Sequence, residues 1–212
     1  MEEAKEIVNN IQKGSVSPLY FLMGEEPYYI DRISDFIAQN LLAEEEKGFN
    51  QIIMYGRDTS IDEIVSNAKR YPMMAERQVI IVKEAQDLSI SIEKLVDYAE
   101  NPQPTTTLVF CYKYKSLDKR KKLSKVLKKS GILFESKRLY ENQVADWIMK
   151  TLKARNYTIS PKAAQMLVEF LGIDLGKIDN ELNKLQLITP EGTQITPEII
   201  EQNIGRSKDF NN

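Results

Sequence analysis

The chain has 212 residues, a formal net charge of −2, 42% hydrophobic residues and 28% charged residues, a composition typical of globular proteins. It has no histidine and a single cysteine, Cys111, which excludes histidine-dependent catalysis, disulfide frameworks and four-cysteine zinc sites. No stretch approaches the roughly 20 apolar residues of a membrane span, and the acidic first residues differ from a signal peptide. We therefore expect a cytoplasmic protein without membrane contact.

The small net charge conceals an uneven distribution along the chain. Residues 1–112 hold 10 basic and 19 acidic side chains, whereas residues 113–138 hold 11 basic and 2 acidic ones. Residues 139–212 hold 8 basic and 10 acidic side chains. A short, strongly basic segment therefore follows a long acidic region.

Strand-like and helix-like segments alternate through the first two thirds of the chain. Apolar residues at helical spacing predict helices over 2–13, 28–42, 61–70, 92–100 and 119–129. Short apolar runs predict buried strands over 19–23, 51–55, 78–82, 106–112 and 132–134. Buried strands separated by amphipathic helices are typical of a parallel sheet covered on both faces. We assign residues 1–140 to an α/β domain.

The strand pattern stops after Tyr140. Helical spacing continues over 143–155 and 175–187, and Ser160-Pro161 provides an N-cap and a first-turn proline for a helix ending near Gly172. Thr196-Pro197 opens a last short helix. We assign residues 141–212 to a small all-α domain.

The turn after the first predicted strand occupies the place of a phosphate-binding loop. A functional loop needs glycine-rich backbone and a lysine for the terminal phosphates. Here Gly24, Glu25, Glu26 and Pro27 provide one glycine, two carboxylates and a residue without an amide hydrogen. This loop is not expected to bind ATP. With no nucleophile, general base or metal cluster recognisable elsewhere, we expect no catalytic residues, no metal and no cofactor.

Two further segments are candidates for contacts with partners. Lys119, Arg120, Lys121 and Lys122 lie in the basic segment and could bind phosphates, or could be a solvated surface paired with acids. Tyr71-Pro72-Met73-Met74 places two adjacent methionines after a proline that ends a helix. Methionine suits adaptable protein-binding surfaces, although the pair could equally fill the edge of the core.

Several stretches, in this order, resemble the delta subunit of the bacterial DNA polymerase III clamp loader. They are YFLMGEE at 20–26, MMAERQ at 73–78, LDKRKKL at 117–123, Trp147-Ile148, GIDL at 172–175 and NEL at 180–182. The resemblance implies an AAA+-like (P-loop NTPase-like) α/β domain followed by a helical lid domain. It also accounts for the degenerate loop, because the delta family keeps the fold without working as an ATPase.

The resemblance further implies partners and contact residues. In this family an exposed apolar pair on a short helix enters a hydrophobic pocket of the sliding clamp, the beta subunit, and helps to open the ring. The pair corresponds to Met73 and Met74, where the family more often has leucine and an aromatic residue. We extend the expected contact surface to Tyr71, Pro72 and Arg77.

Other clamp-loader subunits and, through the complex, DNA are the remaining implied partners. The family's third domain, which joins the collar of the loader, would begin near residues 207–212, so we expect the sequence to cover the first two domains. Two alternative functions stay open: an AAA+ nucleotide hydrolase with a divergent phosphate loop, and a nucleic-acid-binding adaptor that uses the basic segment.

Overall fold

The computed structural model describes residues 2–205, which divide between Arg138 and Leu139 into two compact units. The boundary predicted from the sequence lies two residues later, after residue 140. The expected start of a third domain near residue 207 lies outside the described residues. Across the part that is described, no helix is both long enough and apolar enough to cross a membrane.

A five-stranded parallel sheet forms the centre of the first unit. Its strands are β1 (Leu19–Gly24), β2 (Gln51–Tyr55), β3 (Gln78–Lys83), β4 (Thr106–Lys113) and β5 (Ile132–Ser136). They lie in the order β2-β3-β4-β1-β5, and every neighbouring pair is parallel. The predicted α/β fold with a parallel sheet is confirmed. It follows from the short apolar runs, which can be buried only when both faces of the sheet are covered.

Helices connect consecutive strands and cover the sheet. They are α1 (Glu2–Gln12), α2 (Pro27–Asn40), α3 (Glu44–Asn50), α4 (Ile61–Ala68), α5 (Val96–Glu100) and α6 (Lys122–Ser130), with 3-10 turns at Gly56–Asp58, Ala85–Leu88 and Ile92–Leu95. Three details differ from the sequence-based prediction. Helix α3 was missed, the helix predicted over 92–100 begins as a 3-10 turn, and α6 begins at Lys122 rather than at residue 119.

Side chains of each strand alternate between two hydrophobic layers, as the strand period requires. Leu19, Phe21 and Met23 of β1 pack on the side of α4, α5 and α6, where the Phe21 and Phe110 rings stack with centroids 5.5 Å apart. Tyr20 and Leu22 point the other way, toward the layer that contains α1 and α2. The sheet is therefore covered on both faces, except at the edge strand β2, where Ile53 and Tyr55 are about half exposed.

The second unit is mainly helical. Its elements are α7 (Glu141–Lys153), β6 (Thr158–Ile159), α8 (Pro161–Leu171), α9 (Leu175–Ile188), β7 (Gln194–Ile195), α10 (Pro197–Ile200) and a π-helical turn at Glu201–Gly205. Ser160 caps α8 as predicted, accepting a hydrogen bond from the Ala163 amide at 3.2 Å. The prediction of an all-α unit was wrong in one respect, because β6 and β7 pair in parallel. Two-residue strands are too short to leave a period-2 pattern in the sequence.

Candidate functional site

The methionine pair lies in an irregular loop, residues 69–77, which we call the methionine loop. The resemblance implied a short helix here, but residues 71–77 form neither helix nor strand. Pro72 has no amide hydrogen to donate, and Met74 has a φ of 53°, which lies in the left-handed region. Both features interrupt a right-handed helical turn.

Apolar side chains of the methionine loop face solvent rather than the core. Met74 is fully exposed, Met73 is 61% exposed and Tyr71 is 77% exposed, whereas Pro72 is half-buried. The alternative in which the methionines fill the core edge is therefore wrong. Adjacent exposed apolar residues with polar surroundings are typical of a surface that contacts another protein.

Buried amide side chains anchor the methionine loop on either side. Asn50, the last residue of α3, accepts a hydrogen bond from the Met73 amide at 2.7 Å and donates one to the Met73 carbonyl at 2.9 Å. Gln78, the first residue of β3, has its Nε2 2.6 Å from the Arg70 carbonyl and 2.8 Å from Thr106 Oγ1. The loop is thus held at the Met73 and Arg70 backbone groups, while its methionine side chains are exposed.

Arg77 differs from the other predicted contact residues because it is half-buried. Its Nη1 donates to Thr107 Oγ1 at 2.8 Å, at the start of β4. The guanidinium is therefore used to hold the end of the methionine loop against the sheet.

Helix α3 contributes two residues that the sequence analysis missed. Asn50 is 2% exposed and contacts Met73, and its neighbour Phe49 is 73% exposed. The sequence carried no signal for the Asn50 contact, because its partner lies 23 residues further along the chain. The Phe49 exposure could not be inferred because α3 itself had been assigned to a polar connection.

The degenerate phosphate loop lies at the opposite, carboxyl edge of the sheet. Gly24 has a φ of 123°, and a Cβ atom there would come within 2.1 Å of the Ser136 carbonyl oxygen. Its amide donates to the Lys115 carbonyl at 2.9 Å, and its carbonyl accepts from the Tyr114 amide at 2.8 Å. The glycine is therefore required for close strand packing, and its backbone groups bond to protein rather than pointing at a ligand site.

The start of α2 is capped by the chain's own carboxylate. Glu26 is buried and accepts a hydrogen bond from the Tyr28 amide at 3.0 Å, while Pro27 has no amide hydrogen. A helix N-terminus attracts anions through its free amides. Here Glu26 takes that position, and the exposed Glu25 adds a second negative charge nearby.

Ion pairs also neutralise two lysines at this edge. Lys113 Nζ lies 2.9 Å from Asp31 Oδ1 and 3.0 Å from Glu84 Oε1, and Lys83 Nζ lies 2.8 Å from Asp35 Oδ1. Burial lowers the pKa of Lys113, but its bonds to Asp31 and Glu84 outweigh burial, so the pKa is raised overall. Both lysines stay charged and are engaged by protein carboxylates. Within residues 2–205 no group of acidic or cysteine side chains is arranged to hold a metal ion.

The four basic candidates are exposed and paired with acids. Their pairs are Lys119 with Glu135 at 2.8 Å, Arg120 with Asp118 at 2.9 Å, Lys121 with Glu93 at 3.8 Å and Lys122 with Glu100 at 2.7 Å. The prediction that all four lie on a helix is wrong for the first three. The Asp118 carbonyl accepts from the Lys121 amide at 3.1 Å, which closes a turn before α6 begins. Exposed pairs of this kind are weak and leave the side chains available for exchange.

The predicted site residues therefore occupy three separate places within the first unit. The methionine loop lies at the amino edge of the sheet, because it leads into β3. The degenerate phosphate loop follows β1 at the carboxyl edge. The basic residues form the connection into α6 and its first turn.

Comparison with known proteins gives consistent matches. The family described as DNA polymerase III, delta subunit, matches residues 20–137. The chain is 29% identical over 215 residues to DNA polymerase III subunit delta of Bacillus subtilis (strain 168), covering 97% of this chain and 62% of that protein. It thus spans less than two thirds of the length of that relative.

Solved structures extend the comparison to the fold. The Bacillus subtilis DNA clamp loader delta protein (YqeN) is similar with a TM-score of 0.75 and 28% identity, over 94% of this chain and 61% of that chain. The Thermotoga maritima RuvB Holliday junction branch migration motor matches with a TM-score of 0.51 and 17% identity, over 97% of this chain and 69% of that chain. The second similarity concerns the fold alone, and it agrees with the AAA+-like architecture predicted from the sequence. The chain belongs to the DNA polymerase III delta subunit family.

Proposed function

We propose that this chain is the part of a clamp-loader delta subunit that binds the sliding clamp and helps to open it, without hydrolysing ATP itself. The observation that carries the proposal is the exposure of Met73 and Met74 on a loop whose backbone is fixed. In this proposal the protein acts in the cytoplasm, together with the other clamp-loader subunits. It contributes binding energy rather than bond chemistry.

In this proposal the methionine pair is the apolar anchor of a wider clamp contact. Burying two such side chains contributes about 3–6 kcal/mol before the costs of association are subtracted. Those costs fall when the binding segment is ordered in advance, as the bonds from Asn50 and Gln78 to the methionine loop provide. Tyr71 and Pro72 would lie at the rim of the contact, and Arg77 would support it from behind.

The absence of ATP hydrolysis is supported by the carboxyl edge of the sheet. Glu26 occupies the α2 N-terminus, and Lys113 and Lys83 are held by carboxylates. An incoming triphosphate would meet Glu25 and the α2 N-terminus capped by Glu26, and Lys113 and Lys83 could reach it only by leaving their carboxylate partners. The alternative of an active AAA+ hydrolase is therefore disfavoured, because its phosphates would have to displace these groups.

A role for the basic segment toward DNA or a neighbouring subunit is a second part of the proposal. Lys119, Arg120, Lys121 and Lys122 are exposed, and their weak pairs can be exchanged for phosphates or for carboxylates of another subunit. If Lys121→Glu/Lys122→Glu lowers the DNA affinity or the assembly of a reconstituted loader, the segment is a contact. Unchanged affinity and assembly would restrict it to a solvated surface. Strong salt-dependent DNA binding by the chain alone, without clamp binding, would instead favour the adaptor alternative.

The test of the clamp contact is calorimetric titration of the chain with the sliding clamp. We expect Met73→Ala/Met74→Ala to weaken binding by at least about 100-fold, since the exposed pair supplies most of the apolar contact. Ile90→Ala is the matched control, because Ile90 is fully exposed in the loop that follows β3 and its 3-10 turn, away from the methionine loop. Equal clamp affinity of the folded double variant and the parent chain would reject the proposal.

A further inference from the structure

We propose that Asn50 is a positioning residue for clamp binding: its side-chain amide brackets the backbone of Met73 and thereby sets the direction in which the methionine pair is presented. This inference rests on the proposed function, since the methionine pair is the clamp contact there. It adds helix α3 to the docking element, although Asn50 lies 23 residues before Met73 in the sequence.

The bracket uses both the oxygen and the nitrogen of the asparagine side-chain amide. Its Oδ1 accepts from the Met73 amide at 2.7 Å, and its Nδ2 donates to the Met73 carbonyl at 2.9 Å. The same Nδ2 donates to the Glu46 carbonyl within α3 at 3.2 Å, which accounts for both of its hydrogens. The side chain is 2% exposed, so water cannot replace these bonds.

No other residue type reproduces this arrangement. Aspartate keeps the acceptor for the Met73 amide but has no donor for the Met73 carbonyl. Glutamine carries the same amide on a chain longer by one methylene, which displaces it in a buried position. Alanine leaves both backbone groups of Met73 without their side-chain partner.

The bracket matters because the loop has little other regular structure to fix it. Residues 71–77 form no helix or strand, and Met74 is held at a φ of 53°, which a methionine rarely adopts unless its surroundings impose it. With the Met73 backbone fixed on one side and Gln78 anchored on the other, Met74 is confined between them. Release of Asn50 would free the pair to sample other directions, and the clamp would have to select the productive one.

The bracket can be tested without the clamp by amide hydrogen exchange. In Asn50→Ala we expect the Met73 amide to exchange at least about 10-fold faster, with the amides of β3 and β4 unchanged, because local opening requires only loss of the bracket. Asn40→Ala is the matched control, since Asn40 is an exposed asparagine whose Nδ2 contacts only the Phe36 carbonyl, at 2.8 Å, in its own helix α2. An Asn50→Ala chain that protects the Met73 amide as well as the parent does would overturn the bracket.

Its role in docking is tested by clamp titration. We expect Asn50→Ala to weaken binding by about 10-fold and Asn50→Asp by at least as much, because the second aspartate oxygen would face the Met73 and Glu46 carbonyl oxygens in a buried site. In a Met74→Ala background the loss caused by Asn50→Ala should shrink, since a positioning residue acts only through the side chains that it presents. Asn50→Ser, which places no charge in the buried site, keeps the experiment informative should Asn50→Ala fold poorly, and a loss of clamp affinity in the same direction is expected.

Two failures can be told apart. If the parent chain and Met73→Ala/Met74→Ala differ in clamp affinity but Asn50→Ala and the parent do not, the inference is overturned and the proposed function stands. If the loss caused by Asn50→Ala is the same with and without Met74, Asn50 has only a general structural role, which also overturns the inference. If the parent chain itself does not bind the clamp, the proposed function and the docking role fall together.

Discussion

The two edges of the sheet in the first unit differ in which groups they bond internally and which they leave exposed. At the carboxyl edge, polar groups that could have received a nucleotide bond to each other: Glu26 caps α2, and Lys113 bridges Asp31 and Glu84. At the amino edge, Asn50 holds the Met73 backbone and Gln78 holds the Arg70 carbonyl, while the Met73 and Met74 side chains remain exposed. One edge is internally satisfied, and the other retains apolar surface for a partner.

Under the proposed function, this contrast would allow a fold of the nucleotide-binding type to serve as a binding module. Loss of nucleotide binding requires more than loss of a lysine, because free amides at a helix N-terminus would continue to attract anions. A carboxylate cap weakens that attraction, and ion pairs engage Lys83 and Lys113. In the proposed function, clamp binding then depends on side chains such as Met73 and Met74, which are exposed and do not pack in the core.

The largest expected effect comes from placing one negative charge in the methionine loop. Met74→Asp should weaken clamp binding by at least about 100-fold, because an unpaired carboxylate cannot be buried in an apolar pocket without a large cost. The thermal unfolding midpoint of Met74→Asp should stay at the parental value, since Met74 is fully exposed in the free chain. Ile90→Asp, the same change in a fully exposed residue following β3, should leave clamp affinity unaltered. A strongly destabilised Met74→Asp, or equal effects of the two variants, would contradict the contrast.

A second variant tests the carboxyl edge through stability. The Lys113 side chain is 11% exposed and bridges two carboxylates that are about 40% exposed. Lys113→Met should lower the free energy of unfolding by about 1–3 kcal/mol, less than for a fully buried pair because solvent screens the carboxylates. Urea denaturation measures this loss. Lys122→Met, which breaks an exposed pair with Glu100, should leave the midpoint unchanged. Clamp affinity should be unaffected in both.

The helix cap at the phosphate loop is expected to have a smaller effect. Glu26→Ala removes the acceptor for the Tyr28 amide and should cost about 1 kcal/mol of stability, as for other N-cap deletions. Glu25→Ala changes an exposed neighbour of the same type and serves as its control. Denaturant titration of the two variants compares them directly. If Glu25→Ala is the more destabilising change, the assignment of Glu26 as the cap is wrong.

The smallest expected effect is a pH dependence from Glu84. Burial raises the pKa of Glu84, but hydrogen bonds from Gln86 and Lys113 outweigh burial and lower it below its ordinary value of 4.5. A carboxyl group with a lowered folded-state pKa contributes stability above pH 4.5 that is lost as the pH falls through the folded-state value. Glu84→Gln should therefore show a flatter decline of stability below pH 4.5 than the parent does. Parallel acid titration curves for the two proteins would contradict this.

The fold was predictable because its signals are local. Residues 19–23 form a continuous apolar run and Thr106–Lys113 is rich in β-forming residues, and a buried parallel strand is the structure that both patterns favour. The start of α6 was missed because Asp118 closes a turn through its own carbonyl and side chain, which charge patterning does not reveal. Helix α3 was missed because its acidic first turn, Glu44–Glu46, carries no apolar stripe.

The candidate site was predictable only in part, because only its local features leave a pattern in the sequence. The two glutamates that disfavour phosphate are adjacent in the sequence, and the two methionines come directly after a proline. By contrast, the Lys113–Asp31 pair joins residues that are far apart in the chain, and so does the Asn50–Met73 bracket. Partners of this kind are brought together by the sheet, and single-sequence patterns contain no trace of them.

The most direct test of the central claim is calorimetric titration of this chain with the sliding clamp, in the presence and absence of ATP and Mg²⁺. The account predicts the same dissociation constant under both conditions, and no heat of binding when ATP and Mg²⁺ are added to the chain alone. It also predicts that Met73→Ala/Met74→Ala loses clamp binding in both conditions. Saturable binding of ATP to the chain, or clamp binding that requires ATP, would contradict it.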